Sequence, residues 1–223
     1  MLGIIGGTSL LFSDLPDLEK KTIATPFGTA EVHLGEFALL MRHQFSLPPH
    51  RINFRASLAA LAITGVDRII AFGSVGSLKK EILPGSIVIP TDYMSTTDIP
   101  SIHDHAIDHV MPEIDEKLSS VLAELIPEAK KVGVYAQTIG PRIETVAEVK
   151  ALVGFADVVG MTLASEATLA KELEMKFAAI CMVDNYAHGL NHEVLTYEHI
   201  LKTAKENKER TERILENIVE KLK

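Results

Sequence analysis

Short apolar runs alternate with stretches of helical periodicity along the whole chain. Leu2–Ile5 reads as a buried strand that runs straight into the turn Gly6-Gly7-Thr8-Ser9. Ala30–Leu34 and Phe37–Met41 flank Gly35-Glu36 and predict a hairpin. Between Arg51 and Thr64, Ile52, Leu58, Ala59, Leu61 and Ala62 fall at helical spacing, and Gly65 stops the run. Strands are predicted over Arg68–Phe72 and Ser86–Ile89, the first followed by a glycine-rich turn through Ser77. Residues 91–111 carry little periodicity and are crowded with Ser, Thr, Asp and His, a long irregular loop of the kind that a compact domain keeps for a use. Pro112 opens a helix to about Ile126, at the position where a missing N–H costs least. Thr145-Val146-Ala147-Glu148 spells a capping box for a helix to about Val153. Val132–Thr138, Val158–Met161 and Phe177–Val183 read as strands and Ser165–Leu173 as a helix. One long helix is expected from about Tyr197 to Leu222, with Lys205, Glu209 and Arg213 paired at i,i+4 on its solvated face. Without a repeat or linker, residues 1–223 are expected to form one α/β domain, helices covering a largely parallel or mixed sheet.

Composition narrows the function classes. The 30 acidic and 22 basic residues leave a net charge of −8, which argues against a general nucleic-acid binder. A single cysteine, Cys181, excludes an internal disulfide framework and fits a reducing compartment. No basic leader and no apolar run of membrane-spanning length is visible, so a cytoplasmic enzyme or small-molecule binder is expected.

Ligands of open α/β sheets collect at the carboxyl ends of strands, and six segments there carry candidate chemistry. Gly6-Gly7-Thr8 is either a tight strand exit or a cradle of backbone N–H groups with a hydroxyl added. Arg42-His43 is either an exposed pair or a clamp for an anion, which an acidic protein would need locally. Gly73-Ser74 is an ordinary turn or a second set of backbone donors. Glu144, before the capped helix, either favours the helix dipole or contacts a ligand. Gly160-Met161-Thr162 follows another strand. Asp184-Asn185-Tyr186-Ala187-His188 offers a carboxamide able to donate to and accept from a heteroaromatic ring. The nine histidines include His103, His105 and His109, but no zinc-site spacing accompanies them, and no metal is expected.

Taken in order, Gly3-Ile4-Ile5-Gly6-Gly7-Thr8, Arg42-His43, Pro49–Ala56, Pro84–Pro90, Gly140–Glu148 and Ala156–Thr162 resemble the trimeric purine nucleoside phosphorylase family. The likeness is to its methylthioadenosine and methylthioinosine phosphorylase branch, and it runs nearly end to end. It implies a three-layer α/β/α fold around a central mixed sheet. It implies phosphate contacts from Thr8, Arg42, His43, Gly73, Ser74 and Thr162, a ribose contact from Met161, and base contacts from Asn185, Tyr186 and Ala187. His109 resembles the histidine lent to a neighbouring subunit, and Tyr197 falls where the 5′ substituent is recognised. A homotrimer, or a hexamer of two trimers, is implied, with phosphate as co-substrate and no cofactor.

Substrate choice follows from hydrogen-bond polarity. Adenosine-type members carry aspartate at the positions of Asn185 and Ala187 and often serine at that of Glu144. A 6-oxopurine bears a hydrogen on N1 that Glu144 can accept, whereas adenine presents a lone pair there. Asn185 can donate to N7 or O6 as charge develops on the leaving base. Phosphorolysis of 6-oxopurine nucleosides (methylthioinosine, inosine or guanosine) is therefore expected, with Glu144 and Asn185 as its catalytic pair. The alternatives are a methylthioadenosine phosphorylase, a phosphate-independent nucleosidase and a non-catalytic nucleoside sensor. Three departures from the family pattern stand out. Asp184 replaces the usual threonine, Gly73 lacks a hydroxyl that some relatives have, and Ser165 replaces a proline before Glu166.

Overall fold

The computed structural model describes residues 1–14, 16–131, 133–191 and 197–223, the side chains of Tyr197 and His199 excepted. Its strands are β1 (Leu2–Gly6), β2 (Glu19–Thr25), β3 (Gly28–Leu34), β4 (Ala38–Met41), β5 (Arg68–Ser77), β6 (Ile87–Val88), β7 (Asp92–Ser95), β8 (Val134–Gln137), β9 (Val158–Gly160) and β10 (Lys176–Tyr186). Its helices are α1 (Phe54–Ile63), α2 (Glu116–Leu125), α3 (Val146–Leu152), α4 (Leu163–Glu172), α5 (Tyr197–Glu206) and α6 (Lys208–Leu222).

The strands join in one mixed sheet of order β2-β3-β4-β1-β5-β9-β8-β7, with β10 against β5 and β6 against β10. β4, β1, β5 and β10 run parallel, and their apolar residues alternate between two buried faces. Ile69, Ala71, Phe177, Ala179 and Cys181 pack towards α1 and α4. Ile70, Phe72, Ala178, Ile180 and Met182 pack towards α2 and α6. This double burial is why the strands read as continuous apolar runs, and it makes the three layers that the resemblance implies.

One pairing shapes the site. The far end of β5 is antiparallel to β9, with Gly76 opposite Val159 and Ser77 opposite Val158. β9 and β8 are parallel to each other, so their carboxyl ends point back along β5 towards Ser74 and Gly73. The exits of β1, β4, β8 and β9 thus face a common stretch of β5.

Several predicted elements change. β2 carries no apolar alternation and is largely exposed; its ladder to β3, not a buried face, makes it a strand, and its charges suit a sheet edge. α2 starts at Glu116 rather than Pro112, because the Asp115 carboxylate accepts from the Leu118 amide at 2.8 Å and caps it there. Asp92–Ser95 forms β7 inside the expected loop. The C-terminal helix divides at Asn207, whose ψ of 2° leaves the helical region. Among the described residues the i,i+4 ion pairs that form on these two helices are Lys202–Glu206 and Lys208–Glu212.

Candidate active site

β1 and β4 end side by side, Gly6 opposite Met41, and the Arg42 amide donates to the Gly6 carbonyl at 2.7 Å. Arg42 lies so close to the next turn that a Cβ on Gly7 would stand 2.3 Å from its guanidinium nitrogen, so only glycine fits before Thr8. The guanidinium is buried. Its Nε and Nη2 donate to Glu166 at 2.5 and 2.8 Å, and Nη1 donates to the Phe72 carbonyl at 2.9 Å. Of the five N–H groups of an arginine, two therefore remain for a ligand. Burial works to lower the Arg42 pKa, and the Glu166 carboxylate more than reverses it.

α4 closes this end. Glu166 lies in its first turn, and its first residue, Leu163, packs on β5 where a Cβ on Gly73 would come within 3.0 Å of Leu163 Cδ1. The Thr162 and Leu163 amides both donate to the buried Tyr135 hydroxyl, at 3.1 and 3.3 Å. Thr8, Arg42, Gly73 and Thr162 are thus brought together through Gly7, Glu166 and Leu163. Ser74 follows on β5 with a buried hydroxyl that has no partner among the described residues.

His43 Nδ1 lies 2.8 Å from the Leu47 carbonyl, which only accepts, so Nδ1 carries the hydrogen. Burial, aided by the Arg42 charge and opposed by that carbonyl, holds the ring below its ordinary pKa. When neutral, the ring presents Nε2 as an acceptor. The chain after it passes through Phe45 and Ser46, both at φ 57°, a conformation costly for non-glycine residues.

A second group forms farther along β5. Instead of turning at Gly73 and Asp184, as predicted, β5 continues to Ser77 and β10 to Tyr186. Gly73, Ser74 and Asn185 are strand residues. The register passes from Val183 opposite Val75 to Asn185 opposite Gly76, leaving Asp184 as the extra residue of a bulge. Asn185 Nδ2 donates one hydrogen to the Tyr186 carbonyl at 2.8 Å. The Tyr186 hydroxyl is engaged with the Lys80 carbonyl at 3.1 Å, and the buried Ala187 donates its amide to Ser77 at 2.8 Å.

Glu144 is buried, and its Oε1 accepts from the Thr138 hydroxyl at 2.6 Å. Its carbonyl accepts from His188 Nδ1 at 2.9 Å, which ties the loop before α3 to the chain just beyond Asn185. Met161 packs on the same loop: a Cβ on Gly140 would stand 2.4 Å from Met161 Sδ. The capping box at Thr145 and Glu148 forms as predicted, and Arg142 adds two bonds of 2.7 Å to Glu148. Those bonds, with the Thr145 amide, hold the Glu148 pKa at about 2.

Asp184 is 8% exposed, and its Oδ2 has no hydrogen-bond partner among the described residues. Burial pushes its pKa up to about 7, and the nearby Ser74 hydroxyl offsets only part of that. His109 is exposed between Ile107 and Met111, which are 92% and 78% exposed, and no hydrogen bond among the described residues links it to the other candidates. The Tyr197 side chain lies outside the described residues. No group of three or more His, Cys, Asp or Glu able to hold a metal occurs among the described residues, and none of their helices is long and apolar enough to cross a membrane.

Sequence reasoning passed over Glu166 and Tyr135. A glutamate four residues into a helix whose first eight residues are otherwise apolar or small was the available signal, since a buried carboxylate requires a cation. Nothing in the sequence names Arg42, 124 residues away, as that cation. The Ser165 substitution is accounted for by Gln137, whose side chain bonds both its hydroxyl and its amide, at 2.7 and 3.0 Å.

Comparison with known proteins gives a consistent result. A family model described as the phosphorylase superfamily matches residues 1–220. The chain is 42% identical to a protein of Archaeoglobus fulgidus named "Probable 6-oxopurine nucleoside phosphorylase", covering 100% of this chain and 97% of that one. It is 36% identical to a "Probable S-methyl-5'-thioinosine phosphorylase" of Methanocaldococcus jannaschii, covering 98% and 92%. Among solved structures, a methylthioadenosine phosphorylase from Schistosoma mansoni in complex with adenine superposes with a TM-score of 0.88 at 23% identity, over 99% of this chain and 91% of that one.

Proposed function

The chain belongs to the phosphorylase superfamily, and from that premise we propose that it cleaves 6-oxopurine nucleosides with inorganic phosphate, releasing purine and a ribose 1-phosphate or its 5-methylthio counterpart. The observation that carries the choice of purine is the buried Glu144 carboxylate, joined through His188 to the segment bearing Asn185. One Glu144 oxygen takes the Thr138 hydroxyl, and the carboxylate keeps further capacity to accept the N1 hydrogen of hypoxanthine or guanine. Adenine has no such hydrogen, and its N1 lone pair would oppose the carboxylate. The resemblance to proteins named for 6-oxopurine nucleosides and methylthioinosine supports the same choice.

In the proposed reaction the glycosidic bond lengthens first, positive charge gathers on the ribose and negative charge on the base. The free Asn185 N–H donates to the base. Thr8, Arg42, His43, Ser74, Thr162 and the backbone at Gly73 orient phosphate for attack on C1′ from the opposite face. Met161 supports the ribose, and Ala187 and Tyr186 flank the base. Orientation and fixed donors carry the catalysis. Phosphate is the co-substrate, and no cofactor enters the scheme.

We further propose assembly into a trimer or a pair of trimers, in which His109 reaches a neighbouring site and Tyr197 contacts the 5′ substituent. The exposed Ile107 and Met111 beside His109 support a buried role for that segment.

Turnover of methylthioinosine, inosine, guanosine and methylthioadenosine, with and without phosphate, tests the reading. The 6-oxopurines should be preferred by about 100-fold or more. Preference for methylthioadenosine overturns the choice of purine, undiminished base release without phosphate indicates a nucleosidase, and binding without turnover a sensor.

A further inference from the structure

Donor bookkeeping at the base site leaves a gap. The six-membered and five-membered rings of a 6-oxopurine present two neighbouring acceptors, O6 and N7, and N7 gains electron density as the base departs. Asn185 has two N–H groups, and one is held by the Tyr186 carbonyl. The remaining one serves a single acceptor. The Tyr186 hydroxyl and the Ala187 amide are engaged with Lys80 and Ser77. The adjacent side chain that keeps a buried oxygen without a hydrogen-bond partner among the described residues is Asp184, through its Oδ2, set by the bulge immediately before Asn185.

We propose that Asp184 is a further catalytic residue, a neutral carboxylic acid that donates to N7 of the leaving purine while Asn185 donates to O6. This rests on the functional reading above. As the C1′–N9 bond breaks, its electron pair passes to the purine, the proton of the Asp184 carboxyl passes to N7, and a phosphate oxygen bonds C1′. The base leaves as the neutral N7–H tautomer. The Asp184 carboxylate is then reprotonated from solvent, into which the new phosphate monoester releases its own proton.

The surroundings favour the neutral acid. Burial and the Ser74 hydroxyl on β5 are the influences acting on this carboxyl, and no charged group of β5, β6, α2, α4 or α5 acts on it among the described residues. Without a cation to stabilise it, the ionised form is the disfavoured one. A threonine at this position would supply a hydrogen bond but no proton that titrates near neutrality.

Asp184→Asn and Asp184→Ala test the proposal through kcat/KM for inosine from pH 5.5 to 8.5, each variant compared with the parent because phosphate itself titrates in this range. Asp184→Ala should lose about 100-fold at pH 6. Asp184→Asn, which donates but cannot release a proton, should lose about 10-fold at pH 6 and converge on the parent by pH 8.5, where Asp184 has ionised. A parent-to-Asn ratio that is constant with pH overturns the proposal. A second readout is equilibrium binding of hypoxanthine against 7-deazahypoxanthine at pH 6. The parent should prefer hypoxanthine by about 10-fold and the Ala variant should lose that preference; a preference retained in the Ala variant also overturns it. If the parent releases no base with phosphate from any nucleoside, the functional reading fails and this proposal with it. If it does and the ratio is flat, only the role of Asp184 fails.

Discussion

Glu144 holds one internal hydrogen bond, from Thr138, and one backbone tether, to His188. Glu144→Gln can keep the first through its amide oxygen while turning its NH2 towards N1, a donor where an acceptor stood. Turnover of inosine should fall by about 100-fold, and the ratio of inosine to adenosine turnover should move towards adenosine. Thermal unfolding should shift little, and parallel losses of stability and activity would mark Glu144 as structural. Arg42 is a different case. Its sequence suggests an anion clamp whose removal weakens phosphate use, yet three of its hydrogen bonds go to Glu166 and Phe72. Arg42→Ala strands a buried carboxylate and should cost about 3–5 kcal/mol of stability as well as raising the KM for phosphate; chemical denaturation separates the two effects. The residue types at both positions were legible in the sequence. Their partners were not, because each is distant in the chain and chosen by packing.

At the scale of elements, periodicity found what was buried on two faces or capped by its own neighbours. β1 is buried along its whole length, and the β3–β4 hairpin and the capping box of α3 depend on contacts within a few residues; all three appear as predicted. β2 and the extensions of β5 and β10 depend on a partner strand, and glycines at 73 and 76 look like a turn when that partner is unseen. The start of α4 shows how such partners work. The Thr162 and Leu163 amides are orphan donors of a helix N-terminus, and the Tyr135 hydroxyl satisfies both. A Cβ on Gly160 would lie 2.6 Å from that hydroxyl, so the glycine keeps its place open. Tyr135→Phe removes the acceptor while retaining the ring. It should cost about 1–3 kcal/mol by denaturant unfolding and raise the KM for phosphate through the loosened Thr162. An unchanged KM would detach this helix end from phosphate binding.

For the molecule as a whole, the titrating groups set opposing slopes of stability against pH. The Glu148 pKa, lowered by Arg142, and the His43 pKa, lowered by burial, both favour the folded state as pH rises through their unfolded values. Asp184 acts in the other sense. Its pKa is raised in the fold from 3.8 to about 7, so between these values the folded chain keeps a proton that the unfolded chain has released. Its contribution is intact below pH 3.8 and is lost as pH climbs through 7. With 1.4 kcal/mol per pH unit over that interval, the loss by pH 8 is on the order of 4 kcal/mol. Asp184→Asn removes this term without changing side-chain shape. The variant and parent should therefore melt together near pH 4, and the variant should melt about 8–16 °C higher at pH 8. Calorimetric scans at those two pH values decide the matter, since a Tm difference that does not widen with pH would mean that Asp184 ionises in the fold as it does in the unfolded chain. The stability that Asp184 gives up is lost between pH 3.8 and 7, while the folded carboxyl stays neutral, whereas on the proposed chemistry turnover falls only as pH passes about 7, so stability declines before turnover as pH rises.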